Sequence, residues 1–147
     1  MPKCSEVMTP DPVTCEPNDP IQKAARIMKQ HDVGSVPVVD SQASKRLAGI
    51  VTDRDIVVKV VAEERSIESA TVRDAMTSNP ASCTLEDDVE KALTAMAERQ
   101  VRRMPVVDEG GRLRGIISQA DIATRVNRDR QTGELVEAIS EPGGVRK

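Results

Sequence analysis

Hydrophobic residues along the chain follow a small set of patterns, and the whole set occurs twice. Apolar side chains recur at positions i, i+3, i+4 and i+7 from Ile21 to Met28 and again from Val89 to Met96. This spacing predicts two amphipathic helices, each with one buried face. A short apolar stretch precedes each helix and two runs rich in Val and Ile follow it, which predicts strands. Each copy is therefore expected to fold as strand, helix, strand, strand, helix, an α/β arrangement.

The duplication is visible residue by residue. Residues 8–40 align without a gap on residues 76–108, and 13 of these 33 positions are identical. After a loop that is two residues longer in the first copy, residues 47–56 align on residues 113–122. Each copy is thus one supersecondary unit. Two copies close more naturally about a pseudo-twofold axis than as an open array.

The alignment also gives the predicted domain boundaries. The first repeat is expected over residues 1–62 and the second over residues 72–126, because residues 63–71 between them are polar and charged, as in a linker. A tail over residues 127–147 follows. Its apolar spacing predicts a short helix around Leu135, Val136 and Ile139.

One turn carries most of the candidate chemistry. In each copy the last strand ends in the pattern Gly, two apolar residues, Thr or Ser, any two residues, and Asp. Thr52 and Asp55 therefore have the spacing of a capping box, in which a hydroxyl and a carboxylate satisfy N–H groups at the start of a helix. Ser118 and Asp121 repeat it. The same helix start could instead hold a phosphate on its free N–H groups, with the aspartates binding sugar hydroxyls.

Three further features predict local geometry. Gly49 and Gly115 would let another group approach the strand backbone closely. Asp19 and Asp87 are predicted as the N-caps of the two amphipathic helices. Pro37 lacks an N–H group, which predicts either an edge strand or a position at the entry to a strand.

Composition restricts the classes of function. The chain has 147 residues, a net charge of −3 with acids and bases interspersed, and no Phe, Tyr or Trp. Nucleic acid is not an expected partner, because its binders are typically basic and stack bases on aromatic faces. No apolar run approaches the roughly 20 residues of a membrane span, and no hydrophobic leader follows Met1. The expected location is the cytoplasm, away from membranes.

The reactive side chains do not indicate catalysis or metal binding. Cys4, Cys15 and Cys83 are an odd number of cysteines without a CxxC pair. Buried, unpaired thiols are therefore expected rather than disulfides or, with His31, a metal site. No nucleophile has a base and an orienting partner at a recognisable spacing. An enzyme is the least favoured functional class.

With the duplication, the strand Val36-Pro37-Val38-Val39-Asp40 and the turn from Gly49 to Asp55 in hand, the sequence resembles the CBS-domain family. The resemblance covers about residues 5–126 and is to a tandem pair, or Bateman module, of the stand-alone bacterial type. It implies two pseudo-twofold-related repeats packed as one disc. It also implies a regulatory module that binds AMP, ADP or ATP in clefts between the repeats and requires no cofactor.

The resemblance implies particular ligand contacts. Phosphate and ribose contacts are implied at Thr52, Asp55, Ser118 and Asp121, and contacts at a strand edge at Thr14 and Ser82. An aliphatic wall for the base is implied at Val36, Pro37, Val38, Met104, Pro105 and Val106.

The two copies differ in charge around the turn. Arg102 and Arg103 of the second copy stand where the first has Gly34 and Ser35, whereas Arg54 of the first copy corresponds to an alanine. Guanidinium groups beside a helix start would hold phosphate through paired hydrogen bonds. The alternative is that these arginines are solvated surface charges. The two clefts are expected to bind ligand unequally.

Two functions from different classes stay open. The first is an adenine-nucleotide sensor that changes its conformation, or the surface it offers to a partner protein, when nucleotide binds. The second is a ligand-free interaction module, in which the hydroxyl and carboxylate pairs only cap helices. In both, apolar side chains on the helices that follow Thr52 and Ser118 predict a homodimer.

Overall fold

The computed structural model describes residues 1–131, with side chains up to residue 128. The elements in chain order are α1 (Cys4–Val7), β1 (Thr9–Pro10), α2 (Ile21–His31), β2 (Ser35–Val39), β3 (Leu47–Thr52), α3 (Asp53–Ile56), a π-helical segment (Val57–Val61), α4 (Val72–Ala75), β4 (Thr77–Ser78), β5 (Cys83–Thr84), α5 (Val89–Arg99), β6 (Arg103–Val107), β7 (Leu113–Ser118) and α6 (Gln119–Gln131). The short helix predicted around Leu135, Val136 and Ile139 lies outside the described residues. No helix within residues 1–131 is both long enough and apolar enough to cross a membrane.

The α/β class is confirmed, and the predicted order of elements is confirmed in the second copy and, apart from its first strand, in the first copy. The first strand is the weakest of them. In the second copy it is β5, which pairs in parallel with β6, whereas in the first copy it is a single bridge between Cys15 and Val38. The sequence pattern does not predict α1, β1, α4 and β4, because a two-residue strand or a one-turn helix has no periodicity to detect.

The described residues form two compact units, and each unit takes strands from both copies. The Pro37 unit comprises residues 11–80 and 109–113, with sheet order β2-β3-β4. β2 is the last strand of this order, and on its other side it pairs only with Cys15. The Pro105 unit comprises residues 1–10, 81–108 and those from 114 onwards, with sheet order β1-β7-β6-β5. Each sheet therefore includes a strand that the sequence assigns to the other copy. The domain boundaries drawn from the duplication stay a prediction.

Two glycines allow these exchanged strands to pair. Gly49 lies in β3 against β4, and Gly115 lies in β7 against β1. A Cβ atom at Gly49 would be 2.6 Å from the carbonyl oxygen of Thr77, and one at Gly115 would be 2.7 Å from that of Thr9. The close approach expected at both glycines is thus the backbone of a neighbouring strand.

Each unit has its own hydrophobic core. In the Pro105 unit, α5 buries Val89, Ala92 and Met96, as the spacing predicts. In the Pro37 unit, α2 buries Ile21, Ala24 and Met28. Ala25 was expected in the same stripe but is exposed, because the buried face of α2 turns toward Ile27 instead.

The two amphipathic helices, α2 and α5, each begin one residue later than predicted. Their N-caps are Pro20 and Asp88, each in an extended conformation, rather than Asp19 and Asp87. Each of the predicted carboxylates instead accepts a hydrogen bond from the backbone N–H three residues before it, at 2.8 Å for Asp19 and 2.9 Å for Asp87. The two aspartates close the turn that leads into the helix.

The helix predicted from about Asp53 to Ala62 changes character halfway. It is α-helical as far as Ile56 and π-helical over Val57–Val61, where the N–H of Ala62 donates to the carbonyl of Val57 at 2.8 Å. Four of the five residues in the segment are valines, whose branched Cβ atoms crowd an ordinary helical turn. Val60 is fully buried, while three valines are 56, 43 and 53 % exposed: Val57, Val58 and Val61.

Candidate functional site

The turn after β3 forms the capping box that its spacing predicts. The Thr52 hydroxyl accepts a hydrogen bond from the Asp55 N–H, and the Asp55 carboxylate accepts one from the Thr52 N–H, each at 3.0 Å. Asp55 also lies 3.4 Å from the ammonium group of Lys59. A carboxylate offers about four acceptor positions and a hydroxyl keeps its own proton to donate. The capping bonds therefore leave both side chains with capacity for a ligand.

The N–H groups that were expected to be free at this helix start are already used. The Asp53 N–H donates to the carbonyl of Gly34 at 2.9 Å, and the Arg54 N–H donates to the Asp53 carboxylate at 2.8 Å. With the Asp55 N–H bonded to Thr52, the first three N–H groups of α3 all have acceptors within the protein. An anion at this turn would have to displace one of them and would also meet the charge of Asp53.

The turn after β7 is built in the same way but has a different charge. The Gln119 N–H donates to the carbonyl of Arg102 and the Asp121 N–H donates to the Ser118 hydroxyl, both at 3.0 Å. The neutral Gln119 occupies the position of Asp53 in the first copy. α6 has 13 residues, and α3 continues without a break into the π-helical segment, so both turns stand at a helix N-terminus.

The same hydrogen bonds bring the predicted arginines to the second turn. Because the Arg102 carbonyl is bonded to the first residue of α6, the backbone of Arg102 lies beside the Ser118 turn. Arg103 opens β6 and is partly buried, whereas Arg102 is exposed. Arg54, the arginine of the first copy, is exposed in α3.

Strand alternation separates the residues implied to line the base in the first copy. Val36 and Val38 are fully buried in the core of the Pro37 unit. Pro37 lies on the opposite face of β2, together with Ser35, whose cross-strand partner is Thr52. Pro37 therefore shares a face with the candidate turn, whereas Val36 and Val38 point away from it.

The second copy shows the same division. Met104 and Val106 are fully buried in the core of the Pro105 unit. Pro105 lies between them in β6 and is also buried, and the alternation of the strand places it on the face of Arg103. We call this face, with the adjoining Ser118 and Asp121, the Arg103 face. The corresponding surface of the first copy, formed by Ser35, Pro37, Thr52 and Asp55, is the Ser35 face.

The two residues implied at a strand edge differ in their surroundings. Thr14 is buried, and its hydroxyl accepts a hydrogen bond from the amide nitrogen of Gln42 at 2.9 Å. Ser82 is exposed and directly precedes β5. Gln42 lies in the loop that is two residues longer in the first copy.

Sequence reasoning did not single out two residues at this site: Ser35, on the Ser35 face, and Asp53, beside it. The Ser35 hydroxyl is buried and has no hydrogen-bond partner among the described residues. The Asp53 carboxylate lies against Gly34, where a Cβ atom would be 3.2 Å from its nearer oxygen. The alignment of Asp53 with Gln119 was a usable signal for the second residue, since it changes the charge at the start of the helix.

Metal ligands do not come together in the part of the chain that the structure describes. Within it, no group of three or more His, Cys, Asp and Glu side chains is arranged to hold a metal ion. Cys4, Cys15 and Cys83 are free, buried thiols.

Comparison with known proteins places this architecture. The profile of the CBS domain matches residues 4–62 and 72–128. CBS domain-containing protein YhcV of Bacillus subtilis is 35% identical over 95% of this chain and 96% of its own length. This relative is a bacterial protein that the chain matches over nearly its whole length.

Solved structures agree with the sequence comparison. Hypoxic Response Protein I, whose crystal structure holds two coordinated zinc ions, matches with a TM-score of 0.76 and 32% identity over 84% of this chain and 98% of its own. The CBS domain pair of protein MJ0100, solved with 5′-methylthioadenosine and S-adenosyl-L-methionine, matches with a TM-score of 0.75 and 26% identity over 88% of this chain and 98% of its own. The chain therefore belongs to the CBS domain family and carries two CBS domains in tandem.

Proposed function

We propose that this protein is a non-catalytic regulatory module that binds adenine nucleotides at the Arg103 face. The hydrogen bond between the Gln119 N–H and the Arg102 carbonyl carries the proposal. It holds two consecutive arginine residues beside the start of a long helix that has no acidic residue at its first position. Positive charge and a helix N-terminus together favour a phosphate group.

Each residue of the Arg103 face, together with the adjacent Arg102, has a role in this proposal. Arg102 and Arg103 hold phosphate oxygens, and the Ser118 hydroxyl adds a further donor. Asp121 accepts hydrogen bonds from the ribose hydroxyls with the carboxylate oxygens that its cap leaves available. Pro105 offers an apolar contact to the adenine, which has no aromatic side chain in this chain to stack on.

The Ser35 face is proposed to take adenosine compounds without a phosphate. The Asp53 charge opposes an anion, and the Asp53 carboxylate also occupies the N–H of Arg54. The unpartnered Ser35 hydroxyl favours a ligand that can hydrogen-bond to it, because a buried hydroxyl without a partner costs about 1–3 kcal/mol. The adenosine compounds bound by the MJ0100 domain pair, which carry no phosphate, support this choice of ligand class.

Regulation would follow from a population shift. A ligand that binds one conformation better than another stabilises that conformation by its difference in affinity. The Arg103 face contains the first residue of β6, the last residue of β7 and the start of α6. Bound nucleotide would therefore hold these three elements together. A partner protein that binds the surface of the Pro105 unit would then bind with a different affinity when nucleotide is present.

A homodimer is also proposed. The exposed valines of the π-helical segment, Val57, Val58 and Val61, form an apolar patch on the helix that follows Thr52. Such patches on otherwise polar surfaces commonly mark protein interfaces. The cytoplasmic location and the absence of a nucleic-acid partner stay predictions from composition.

Titration calorimetry tests the nucleotide proposal. We expect heat of binding with AMP, and the Arg103→Ser variant, which copies the first-copy residue, should bind AMP roughly tenfold or more weakly, because a hydrogen bond to a charged group contributes about 1.5–3 kcal/mol. The matched control is Arg26→Ser, which removes the same charge from an exposed position on α2. It should leave the affinity unchanged.

Two results would contradict the proposal. Absence of binding heat for AMP, ADP and ATP at millimolar concentration would favour the ligand-free interaction module, in which Thr52, Asp55, Ser118 and Asp121 act only as caps. An equal loss of affinity in the Arg103→Ser and Arg26→Ser variants would show that overall charge, rather than this face, attracts the nucleotide.

A further inference from the structure

Two of the three cysteines meet inside the Pro105 unit. The Sγ atoms of Cys4 and Cys83 lie 3.4 Å apart although 79 residues separate them in sequence. Both side chains are buried, with 0 and 4 % of their surface exposed. The sulfur atoms need to approach by only about 1.4 Å to reach the ~2.0 Å length of a disulfide bond.

Backbone hydrogen bonds already hold the segments that carry the two cysteines side by side. The Cys4 N–H donates to the carbonyl of Asp87 at 2.8 Å, and the Ser5 N–H donates to the carbonyl of Leu85 at 3.1 Å. Cys83 is the first residue of β5, which pairs with β6. α1 is a single helical turn, so a local opening that exposes Cys4 breaks few hydrogen bonds.

The two thiols are electronically unequal. Cys83 donates a hydrogen bond to the sulfur of Cys4, which lowers the pKa of Cys4 below that of an ordinary thiol and raises the pKa of Cys83. Burial and the carboxylates of Asp87 and Asp88 oppose the lowering at Cys4 without reversing it. Cys4 is therefore the better nucleophile of the pair.

Cys15, the third cysteine, differs from this pair in its surroundings and in the pKa of its thiol. It is fully buried in the core of the other unit, and burial, with the nearby Asp19 carboxylate, raises its pKa to about 12. The charge of Lys23 only partly offsets this effect. A thiol of this kind reacts slowly because its thiolate form is scarce.

We propose that Cys4 and Cys83 are an oxidisable dithiol, which a peroxide converts to an intramolecular disulfide. The Cys4 thiolate attacks a peroxide oxygen, the O–O bond breaks, and the displaced hydroxide or alkoxide takes up a proton, leaving Cys4 as a sulfenic acid. The Cys83 sulfur then attacks the sulfur of Cys4, its proton joins the departing hydroxide, and water leaves. Overall, two thiols and one peroxide give one disulfide, one water and one water or alcohol. A small dithiol reverses the reaction by exchange.

The disulfide would fasten the first ten residues to β5. That segment includes β1, which pairs with β7 through Thr9 and Ile116. A covalent link across 79 residues removes much of the freedom of the unfolded chain. The oxidised protein should therefore melt roughly 5–15 °C above the reduced protein.

Oxidation of the full chain with hydrogen peroxide tests the proposal. We expect the protein to lose two of its three thiols and about two mass units, and peptide mapping without reductant should recover the Cys4 and Cys83 peptides joined. The melting midpoint should rise and should return to its starting value after dithiothreitol. Cys15→Ser should behave as the wild type, whereas Cys4→Ser and Cys83→Ser should show neither the bond nor the rise.

The wild-type mass measurement decides the matter even if a variant fails to fold. A disulfide that includes Cys15, a bond between two chains, or oxidation of Cys4 to sulfinic acid without a bond would overturn the proposal. A Cys4–Cys83 bond that leaves the melting midpoint unchanged would overturn the claim that it fastens the segment.

Discussion

At the scale of single residues, the Thr52 hydroxyl is the cap of α3, since it accepts the N–H of Asp55 at 3.0 Å. We predict that Thr52→Ala lowers the free energy of unfolding by about 1 kcal/mol, because one N–H group loses its partner. In a chain of this size the melting midpoint should fall by roughly 2–4 °C. Thr52→Ser keeps the hydroxyl and should restore most of the stability. Equal midpoints for Thr52→Ala and the wild type would mean that this hydroxyl does not support the helix.

The side chain of Asp53 is predicted to exclude phosphate from the first copy. Asp53→Gln gives this position the residue of the second copy, so the negative charge disappears and the Arg54 N–H loses its present acceptor. Removing one like charge about 4 Å from a phosphate is worth about 1 kcal/mol in a watery site. We therefore expect AMP to bind the Ser35 face about fivefold more tightly, as a second binding event in calorimetry. Glu63→Gln, an exposed change of the same charge, is the control and should have no effect.

The roles of single residues could be predicted only in part from the sequence. The spacing of Thr52 and Asp55 identified the turn, and both the capping and the ligand interpretation follow from that spacing. Spacing does not show whether neighbouring groups already occupy the N–H groups, because the acceptor carbonyl belongs to Gly34, which precedes β2 and is distant in sequence from the turn. Side chains alternate between the two faces of a strand, so a strand over residues 35–39 already implies that Val36 and Val38 point away from the face of Pro37. The implied base wall of Val36, Pro37 and Val38 did not take that alternation into account.

At the scale of elements, Gly49 and Gly115 are predicted to be required for strand pairing. A methyl group at either position meets a carbonyl oxygen at 2.6 or 2.7 Å, and a backbone atom in a sheet cannot move aside as a side chain can. Gly49→Ala and Gly115→Ala should each destabilise the fold by about 1–3 kcal/mol, measured by denaturant or thermal unfolding.

Gly34→Ala is the matched control for both. Its methyl group would meet only the flexible Asp53 side chain, at 3.2 Å. Its loss of stability should therefore be smaller. If all three alanine variants were equally stable, the tight approach of β1 and β4 would not constrain the sheets.

Helices and strands long enough to show a pattern of apolar residues could be predicted from the sequence, and elements too short to show one could not. α2 and α5 follow from apolar spacing, and β2, β3, β6 and β7 follow from runs of Val and Ile. β1 and β4 have two residues each, and one of the four is Pro10. Their pairing joins residues that are distant in sequence, Thr9 with Ile116 and Ile50 with Thr77, so no local pattern records it.

At the scale of the whole molecule, the exposed valines of the π-helical segment predict self-association. Val61→Asp places a charge within the apolar patch, and burying that charge in an interface would be costly. We expect sedimentation equilibrium at micromolar concentration to give a dimer for the wild type and a monomer for Val61→Asp.

Ile67→Asp is the control for this experiment. Ile67 is also apolar and half exposed, but it lies in the polar connector outside the helix. The variant should remain a dimer. A wild-type monomer, or dissociation of both variants, would remove the valine patch as the interface.

The exchange of short strands between the two copies has a consequence for synthesis on the ribosome. β1 can be completed only when Ile116 and Gly115 have emerged, more than a hundred residues after Thr9. At ~5–20 residues per second, this is a wait of roughly 5–20 s. For the first 79 residues after Cys4 its thiol has no Cys83 beside it, and until β7 emerges one edge of the future sheet has no neighbour. The nascent segment of ten residues therefore stays without its strand partner while the rest of the chain is being made.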